Sequence, residues 1–310
     1  MIYRILGVLY LSSIKPIIEE LDLAKEYKIT HILSILPGSI NETYFSNYTW
    51  KQIEITDEET TNIIPYLEDC ITFIDSAFIN ENPGNVLVHC AQGVSRSVIV
   101  IMAYLMKRYK LTLDQSLYAV KRKCSDAEPN SSFIKQLEMF ANMGFKLDES
   151  NEEYKRFLIN ISMKLDPTGK QVRDLIMERQ TNDESKDMNS NFELRCKRCR
   201  QILANQSNME THEIPTQESK QSKFTKTAPN SRRIISIQNA SNKCSHYFLK
   251  EPVKWMQSEL EKSQLEGKFQ CPKCGSKVGG YNWQGSRCSC GKWMVPATHL
   301  QEAKVDFFKK

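Results

Sequence analysis

The chain of 310 residues is predicted to be an α/β protein followed by a small metal-stabilised domain, and three observations carry that expectation. Strand-like apolar runs alternate with amphipathic helical stretches from Arg4 to about Gly144. One run, Val86 to His89, leads through a short glycine-containing loop into Ser97 to Tyr109, a stretch apolar nearly all round. Beyond residue 190 lie seven of the ten cysteines, mostly as C-x-x-C and C-x-C pairs.

Taken in order, Ile5 to Leu11, His31 to Leu36, Trp50 to Ile55 and Val86 to His89 read as strands. Lys15 to Tyr27 and Asn62 to Ile79 read as helices, the second accepting Pro65 because a first turn has no hydrogen bond for proline to remove. Ser97 to Tyr109 is expected at the centre of the fold. Thr112-Leu-Asp-Gln115 is a capping box that opens the next helix, and Ser131 and Ser132 open another carrying Phe133, Leu137 and Phe140. Residues 151–180 keep a helical period through Tyr154, Phe157, Leu158 and Ile161, broken at Asp166-Pro-Thr-Gly169, and Thr181 to Asn191 is polar. The expected division is a first domain over residues 1–150, a helical extension and linker over 151–190, and a metal domain over 191–310. Within the last, Asn205 to Lys243 is polar enough to form a mobile insertion.

Composition narrows the function classes. With 40% hydrophobic residues and 42 Lys+Arg against 37 Asp+Glu, the chain is neither collagenous nor a multi-span membrane protein. The run Ile5 to Leu11 is too short for a span or a leader core, so an intracellular protein with no membrane partner is expected. Residues 1–150 hold 14 basic and 19 acidic side chains, against 28 and 18 in residues 151–310, so the second half suits an anionic partner. In a reducing compartment the cysteine pairs point to metal rather than disulfides. Cys70 and Cys124, on helical stretches, are expected to be buried inert thiols.

The strand–loop–helix segment Val86-Leu-Val-His-Cys-Ala-Gln-Gly-Val-Ser-Arg-Ser97 carries the first chemistry. Such a junction aims successive backbone N–H groups, here those of Ala91, Gln92, Gly93, Val94, Ser95 and Arg96, at one anion, where the helix dipole adds positive potential. Cys90 opens the loop and Arg96 closes it, so a nucleophilic sulfur and a bidentate guanidinium face the same tetrahedral group. Ser97 can hydrogen-bond the sulfur, and His89 orients the loop rather than transferring protons.

His89-Cys-Ala-Gln-Gly-Val-Ser-Arg-Ser97 closely resembles the signature of cysteine-dependent protein phosphatases, and the length of the domain resembles their compact dual-specificity branch. Leu9-Tyr10-Leu11 and Pro129-Asn130 extend the likeness, while Gln92 and Ser132 stand where that family has Ala and Gly. The resemblance implies a protein-tyrosine-phosphatase-like central sheet flanked by helices and hydrolysis of phosphoprotein substrates without a catalytic cofactor. It also implies a general acid after the strand Ile53 to Ile55, for which Asp57 is preferred over Glu58 and Glu59 on the alternation Ile53, Ile55, Asp57. Nothing at residues 91–95 adds the basic side chains that RNA ends or lipid phosphates would favour.

In the second half, Cys271-Pro-Lys-Cys274 and Cys288-Ser-Cys290 read as two knuckles closing on one tetrahedral zinc. Cys196-Lys-Arg-Cys199 is a third knuckle, to be completed by Cys244 and one of His212, His246 or His299, with His212 preferred at thirteen residues beyond Cys199. Trp255, Trp283 and Trp293 are expected to form the core of so small a domain. Glu251-Pro-Val-Lys-Trp-Met256 and the block Cys271 to Pro296 resemble a zinc-carrying subfamily of the same phosphatases. That resemblance implies two structural zinc ions on Cys196, Cys199, His212, Cys244, Cys271, Cys274, Cys288 and Cys290. It further implies a pre-ribosomal large-subunit particle as partner, reached through the zinc domain, and a place in cytoplasm and nucleus.

Overall fold

The computed structural model describes residues 1–79, 84–180, 192–216, 219, 226–227, 234–235 and 244–309. They form two compact units, Met1–Phe157 and Leu158–Lys310. No helix among the described residues is long and apolar enough to cross a membrane.

The first unit opens with strands β1 (Ile2–Leu6) and β2 (Leu9–Ser13), paired antiparallel around Gly7. The single strand expected over Ile5 to Leu11 is therefore a hairpin: Gly7, at φ 54°, reverses a run whose apolar residues continue on both sides of it. Helices α1 (Lys15–Ile18) and α2 (Leu23–Tyr27) replace the one helix expected there. Glu20, at φ 51°, breaks the period, and the Asp22 carboxylate accepts from the Lys25 N–H to start the second helix. Then follow β3 (Ile29–Ile35), β4 (Thr49–Ile53), α3 (Ile64–Ile79), β5 (Asn85–Cys90), α4 (Arg96–Tyr109), α5 (Leu113–Lys121), α6 (Ser131–Asn142) and α7 (Glu152–Leu165), which crosses the unit boundary.

The sheet order is β1-β2-β5-β3-β4, with β2, β5, β3 and β4 parallel. Parallel strands are covered on both faces, which is why β3 and β5 read as nearly unbroken apolar runs. Ile17 and Leu23 of α1 and α2 pack with Tyr10, Ile32 and Leu87 on one face. Helix α4 packs against β2, β3 and β5 and against α3, α5 and α6, so Arg96 to Met106 are all buried. Each buried Val, Ile or Leu there stabilises the fold by roughly 1.5–3 kcal/mol. The capping box at Thr112 and Gln115 is present, with both reciprocal hydrogen bonds made. Helix α6 starts as expected, but its cap is Asn130, whose side-chain oxygen accepts from the Phe133 N–H at 2.8 Å, and not Ser131 or Ser132.

The second unit holds α8 (Lys170–Gln180), β6 (Phe192–Cys196), β7 (Ile202–Asn205) and β8 (Met209–Glu210). A two-residue pair follows, β9 (Lys226–Thr227) with β10 (Ile234–Ile235). After it come β11 (His246–Leu249), α9 (Gln257–Leu260), β12 (Glu266–Gln270), β13 (Lys277–Asn282), β14 (Ser286–Arg287), β15 (Trp293–Met294), β16 (Ala297–Gln301) and β17 (Val305–Lys309). Its main sheet runs β12-β13-β16-β11-β8, beside a three-stranded sheet β17-β6-β7. Val172 and Ile176 of α8 join Leu194, Phe269, Trp283 and Leu300 in the core. Trp255 packs against that core and Trp283 is fully buried, but Trp293 is 43% exposed, because the short pair β14–β15 places its ring outside the core. The linker Thr181–Asn191 lies outside the described residues. Of the insertion expected from Asn205, residues up to Glu210 are regular structure, with β8 pairing β11, and most of the remainder after residue 216 lies outside the described residues.

One buried side chain binds the chain between β4 and α3 to the helical layer. Gln136 on α6 is wholly buried; its Oε1 accepts from the Ile63 N–H at 2.8 Å and its Nε2 donates to the Thr61 carbonyl at 2.9 Å. Gln136→Leu leaves both backbone groups without partners, which should cost about 1–3 kcal/mol in urea denaturation of the full chain.

Candidate active site and metal centres

The carboxyl ends of β5 and its parallel neighbours form the rim where an open α/β sheet receives ligands. Cys90 is the last residue of β5 and Arg96 the first of α4, so the five residues between must turn within a short span. Gly93 makes the turn at φ 75°, and a Cβ there would lie 2.7 Å from the carbonyl carbon of Ser12. The turn aims the Gly93 N–H at Cys90 Sγ, 3.2 Å away, while Ser97 Oγ donates to the same sulfur at 3.2 Å. Two backbone bonds anchor the loop: Ile14 N–H to the Ala91 carbonyl and Glu128 N–H to the Val94 carbonyl.

The residues singled out in the first half converge on one open cavity of about 890 Å3, lined by Asp57, Cys90, Ala91, Gln92, Val94, Ser95 and Arg96 among others. Arg96 is 7% exposed. Its Nη1 donates to the Ile55 carbonyl at 3.0 Å, while its buried Nε lies 3.6 Å from Asp57 Oδ2 and makes no hydrogen bond. A buried guanidinium with an uncommitted donor suits an incoming anion. Asp57 Oδ1 accepts from Ser95 Oγ and from Asn130 Nδ2, both at 2.8 Å, and the Asn130 N–H in turn donates to Ser95 Oγ. Ser95, singled out for its backbone N–H, thus uses its side chain to hold the carboxylate. Ser132 donates to the Glu59 carbonyl at 2.7 Å and, with Gln136, ties the Asp57 segment to α6.

Behind the loop, His89 Nε2 lies 2.6 Å from Ser34 Oγ, and Ser34 Oγ accepts from Trp50 Nε1 at 2.9 Å. Burial pushes the imidazole down to about 4, so His89 is neutral near pH 7 and acts by position. Burial also pushes the Cys70 thiol up to about 12, consistent with an inert core residue. The sequence alone did not single out Ser34, Trp50 or Gln136 for this site; Asn130 was visible as part of a likeness, and its N-cap spacing to Phe133 is the signal that locates it.

The second half brings eight donors into two groups. Cys196, Cys199, Cys271 and Cys274 form one, and His212, Cys244, Cys288 and Cys290 the other, with the donor atoms of each within 4.8 Å of one another. This corrects the pairing of Cys271–Cys274 with Cys288–Cys290. Adjacency in sequence suggested it, but β13 carries the chain away between the two knuckles. The ladder β17–β6 and the turn before β13 instead place the first knuckle against the second. Cys199 and Cys271 sulfurs are 3.4 Å apart and those of Cys196 and Cys274 3.8 Å, near the ~3.8 Å edge of a tetrahedron with metal–sulfur bonds of about 2.3 Å. In the other group His212 Nε2 is 3.3 Å from both Cys244 Sγ and Cys290 Sγ. His246 and His299 stay outside it on β11 and β16. The Ser276 hydroxyl, 3.0 Å from Cys274 Sγ, draws that thiol down to about 6. Burial opposes ionisation of Cys288, yet hydrogen bonds led by His246 hold it at about 5. Both donor sets, four thiols in the first and three thiols with one imidazole in the second, fit a tetrahedral cation that takes sulfur and nitrogen ligands.

The chain matches the family described as dual specificity phosphatase, catalytic domain, over residues 9–143. It is 44% identical to the tyrosine-protein phosphatase YVH1 of Saccharomyces cerevisiae over 98% of this chain and 91% of that one. It is also 30% identical to the human dual specificity protein phosphatase 12, over 82% and 72% of the respective chains. Among solved structures, the YVH1 phosphatase domain of Chaetomium thermophilum covers 48% of this chain and 100% of its own, at 32% identity and a TM-score of 0.44. With the thiol–guanidinium cavity in the first unit and the likeness continuing through the second, the chain belongs to the dual-specificity protein phosphatases, in the group of the YVH1 and dual specificity phosphatase 12 proteins.

Proposed function

We propose that this phosphatase acts on phosphotyrosine and phosphoserine or phosphothreonine of proteins through a phosphocysteine intermediate, and that its second unit carries two zinc ions and docks it on a pre-ribosomal large-subunit particle. The catalytic part rests on one observation: Cys90 Sγ, already accepting from Gly93 N–H and Ser97 Oγ, shares a cavity with Arg96 and Asp57. Sulfur attacks phosphorus as the ester P–O bond breaks, and Asp57, held by Ser95 and Asn130, gives its proton to the leaving oxygen. Arg96 and the N–H groups of Ala91 to Arg96 stabilise the charge on the remaining oxygens. In the second step Asp57 takes a proton from water attacking phosphorus, and the S–P bond breaks while Ser97 supports the departing sulfur.

The two donor groups support the zinc assignment, four thiolates in one and three thiolates with an imidazole in the other; the ions would supply folding free energy to a unit with a small core. The docking part is supported by the net charge of +10 over residues 151–310, against −5 over residues 1–150. The same asymmetry favours a second reading, an assembly factor for which catalysis is dispensable. Both readings place the protein in cytoplasm and nucleus. Complementation with Cys90→Ser, against a chain lacking residues 191–310, separates them.

Cys90→Ser should abolish hydrolysis of nitrophenyl phosphate with melting unchanged, since a serine hydroxyl stays protonated where a thiol ionises. Asp57→Asn should slow alkyl phosphate hydrolysis by roughly 10²-fold and nitrophenyl phosphate hydrolysis far less, because only the poorer leaving group needs the proton. Equal losses on both would remove Asp57 from the acid's role.

Metal analysis of the purified chain should give two zinc ions. Cys196→Ser and Cys271→Ser should each lower the content to one, and combining them should leave it at one, whereas Cys271→Ser with Cys288→Ser should remove both. The content of the first pair thereby reads out the grouping of the knuckles directly.

Co-sedimentation with large-subunit particles should survive Cys90→Ser, vanish without residues 191–310 and weaken as salt rises. Association that persists without those residues would assign docking to the catalytic unit.

A further inference from the structure

Next to the first metal group, the second unit carries a cavity of about 390 Å3 lined by Lys197, Arg198, Ser276, Lys277, Ala303 and Lys304. Three distant segments build it: the Cys196–Cys199 knuckle, the residues after Cys274, and the turn Glu302–Lys304 before β17. They are fastened together, since the Lys197 N–H donates to the Lys304 carbonyl at 3.1 Å and Lys197 Nζ to the Glu302 and Ala303 carbonyls at 3.2 Å. The Lys197 ammonium is therefore held in place before any ligand arrives. All four cations are exposed, and none of them pairs with a carboxylate among the described residues. Four thiolates around a divalent cation would carry a charge of about −2 and offset only half of this positive charge.

The ladder that ends at this cavity also presents aromatic rings. Strands β6 and β17 pair Cys196 with Val305 beside the cavity and Leu194 with Phe307 two residues on, about 7 Å along the strand. Phe307 is 47% exposed and stacks on Phe192 at 4.3 Å, while Phe308 is 39% exposed under the Arg195 guanidinium, 4.1 Å from its centroid. Successive residues point to opposite faces, so each face of this edge carries an exposed ring.

We propose that the cavity binds the phosphodiester backbone of single-stranded RNA, with a base stacked on a β17 phenylalanine. Phosphate oxygens meet the Arg198 fork and the Lys197, Lys277 and Lys304 ammoniums. The neighbouring rings favour a nucleic acid over an acidic peptide, which would use the cations and leave the aromatic faces idle. The choice of RNA rests on the docking reading above.

The test is fluorescence anisotropy of the zinc-loaded full chain with a labelled 20-nucleotide uridine homopolymer over a salt series, with polyglutamate of matched charge as competitor. Lys277→Glu combined with Lys304→Glu should weaken RNA binding at least tenfold and lower the salt slope by about 2. Phe307→Ala combined with Phe308→Ala should weaken it about tenfold with the slope unchanged. Zinc content, melting temperature and nitrophenyl phosphate turnover, all expected unchanged, serve as controls. Absence of RNA binding by the unaltered chain, wild-type affinity in the lysine variant, or displacement by polyglutamate as readily as by RNA would each overturn the proposal. Particle co-sedimentation judges docking separately: a lysine variant that loses RNA yet still sediments keeps the RNA site and moves docking to another surface.

Discussion

The first unit depends on the reversal of the chain between a buried strand and a buried helix. Cys90 ends β5 and Arg96 begins α4, and both are buried, so the five residues between them must reverse the chain within a short span. Gly93 makes the reversal in the left-handed region against the Ser12 backbone, at the wall of the open cavity. The Cys90 sulfur lines that cavity and accepts from one loop N–H, that of Gly93, and from the Ser97 hydroxyl on α4. Packing of α4 on three strands fixes the far end of the loop, which makes the hydrophobic core the scaffold of the site.

The second constraint is the attachment of the acid segment. Asp57 lies beyond β4 on a stretch without regular structure, where an isolated carboxylate would have many positions. Ser95 and Asn130 hold it from the loop and from the cap of α6, and Ser132 and Gln136 bind the following backbone to the same helix. Asn130 therefore serves two purposes, with one side-chain atom capping α6 and the other fixing the carboxylate. A change in α6 would act on the Asp57 carboxylate through these hydrogen bonds without touching the loop.

In the second unit the two donor groups, once they hold metal, would take the place of a larger core. Each draws donors from chain segments far apart in sequence, so a cation bound to each would cross-link the unit much as a disulfide would, in a form suited to reducing conditions. The first group brings the β6 end of the three-stranded sheet against the turn between β12 and β13, and the second brings His212, two residues beyond β8, against the loops before β11 and between β14 and β15.

Residue type and near spacing were enough to read the α/β layer, the loop from Cys90 to Ser97 and the three cysteine pairs Cys196–Cys199, Cys271–Cys274 and Cys288–Cys290, because each is encoded within a few consecutive residues: an apolar period, a strand–glycine–helix junction, a C-x-x-C or C-x-C knuckle. Cys244 and His212, isolated in sequence, were reached only through what was left over and the family likeness. Asp57 was singled out by the family likeness and the alternating strand before it, but its contacts with the Ser95 and Asn130 side chains were not legible, since groups 38 and 73 residues away meet it only after the sheet and helices have packed. The hairpin at Gly7 and the break before α2 were missed because an apolar run does not reveal a reversal made by one or two residues of positive φ. The division of the eight donors into two groups was decided by tertiary structure alone. A knuckle specifies where two sulfurs face, and strand pairing specifies which other knuckle they face; the ladder of β6 with β17 and the departure of β13 set Cys196 and Cys199 against Cys271 and Cys274.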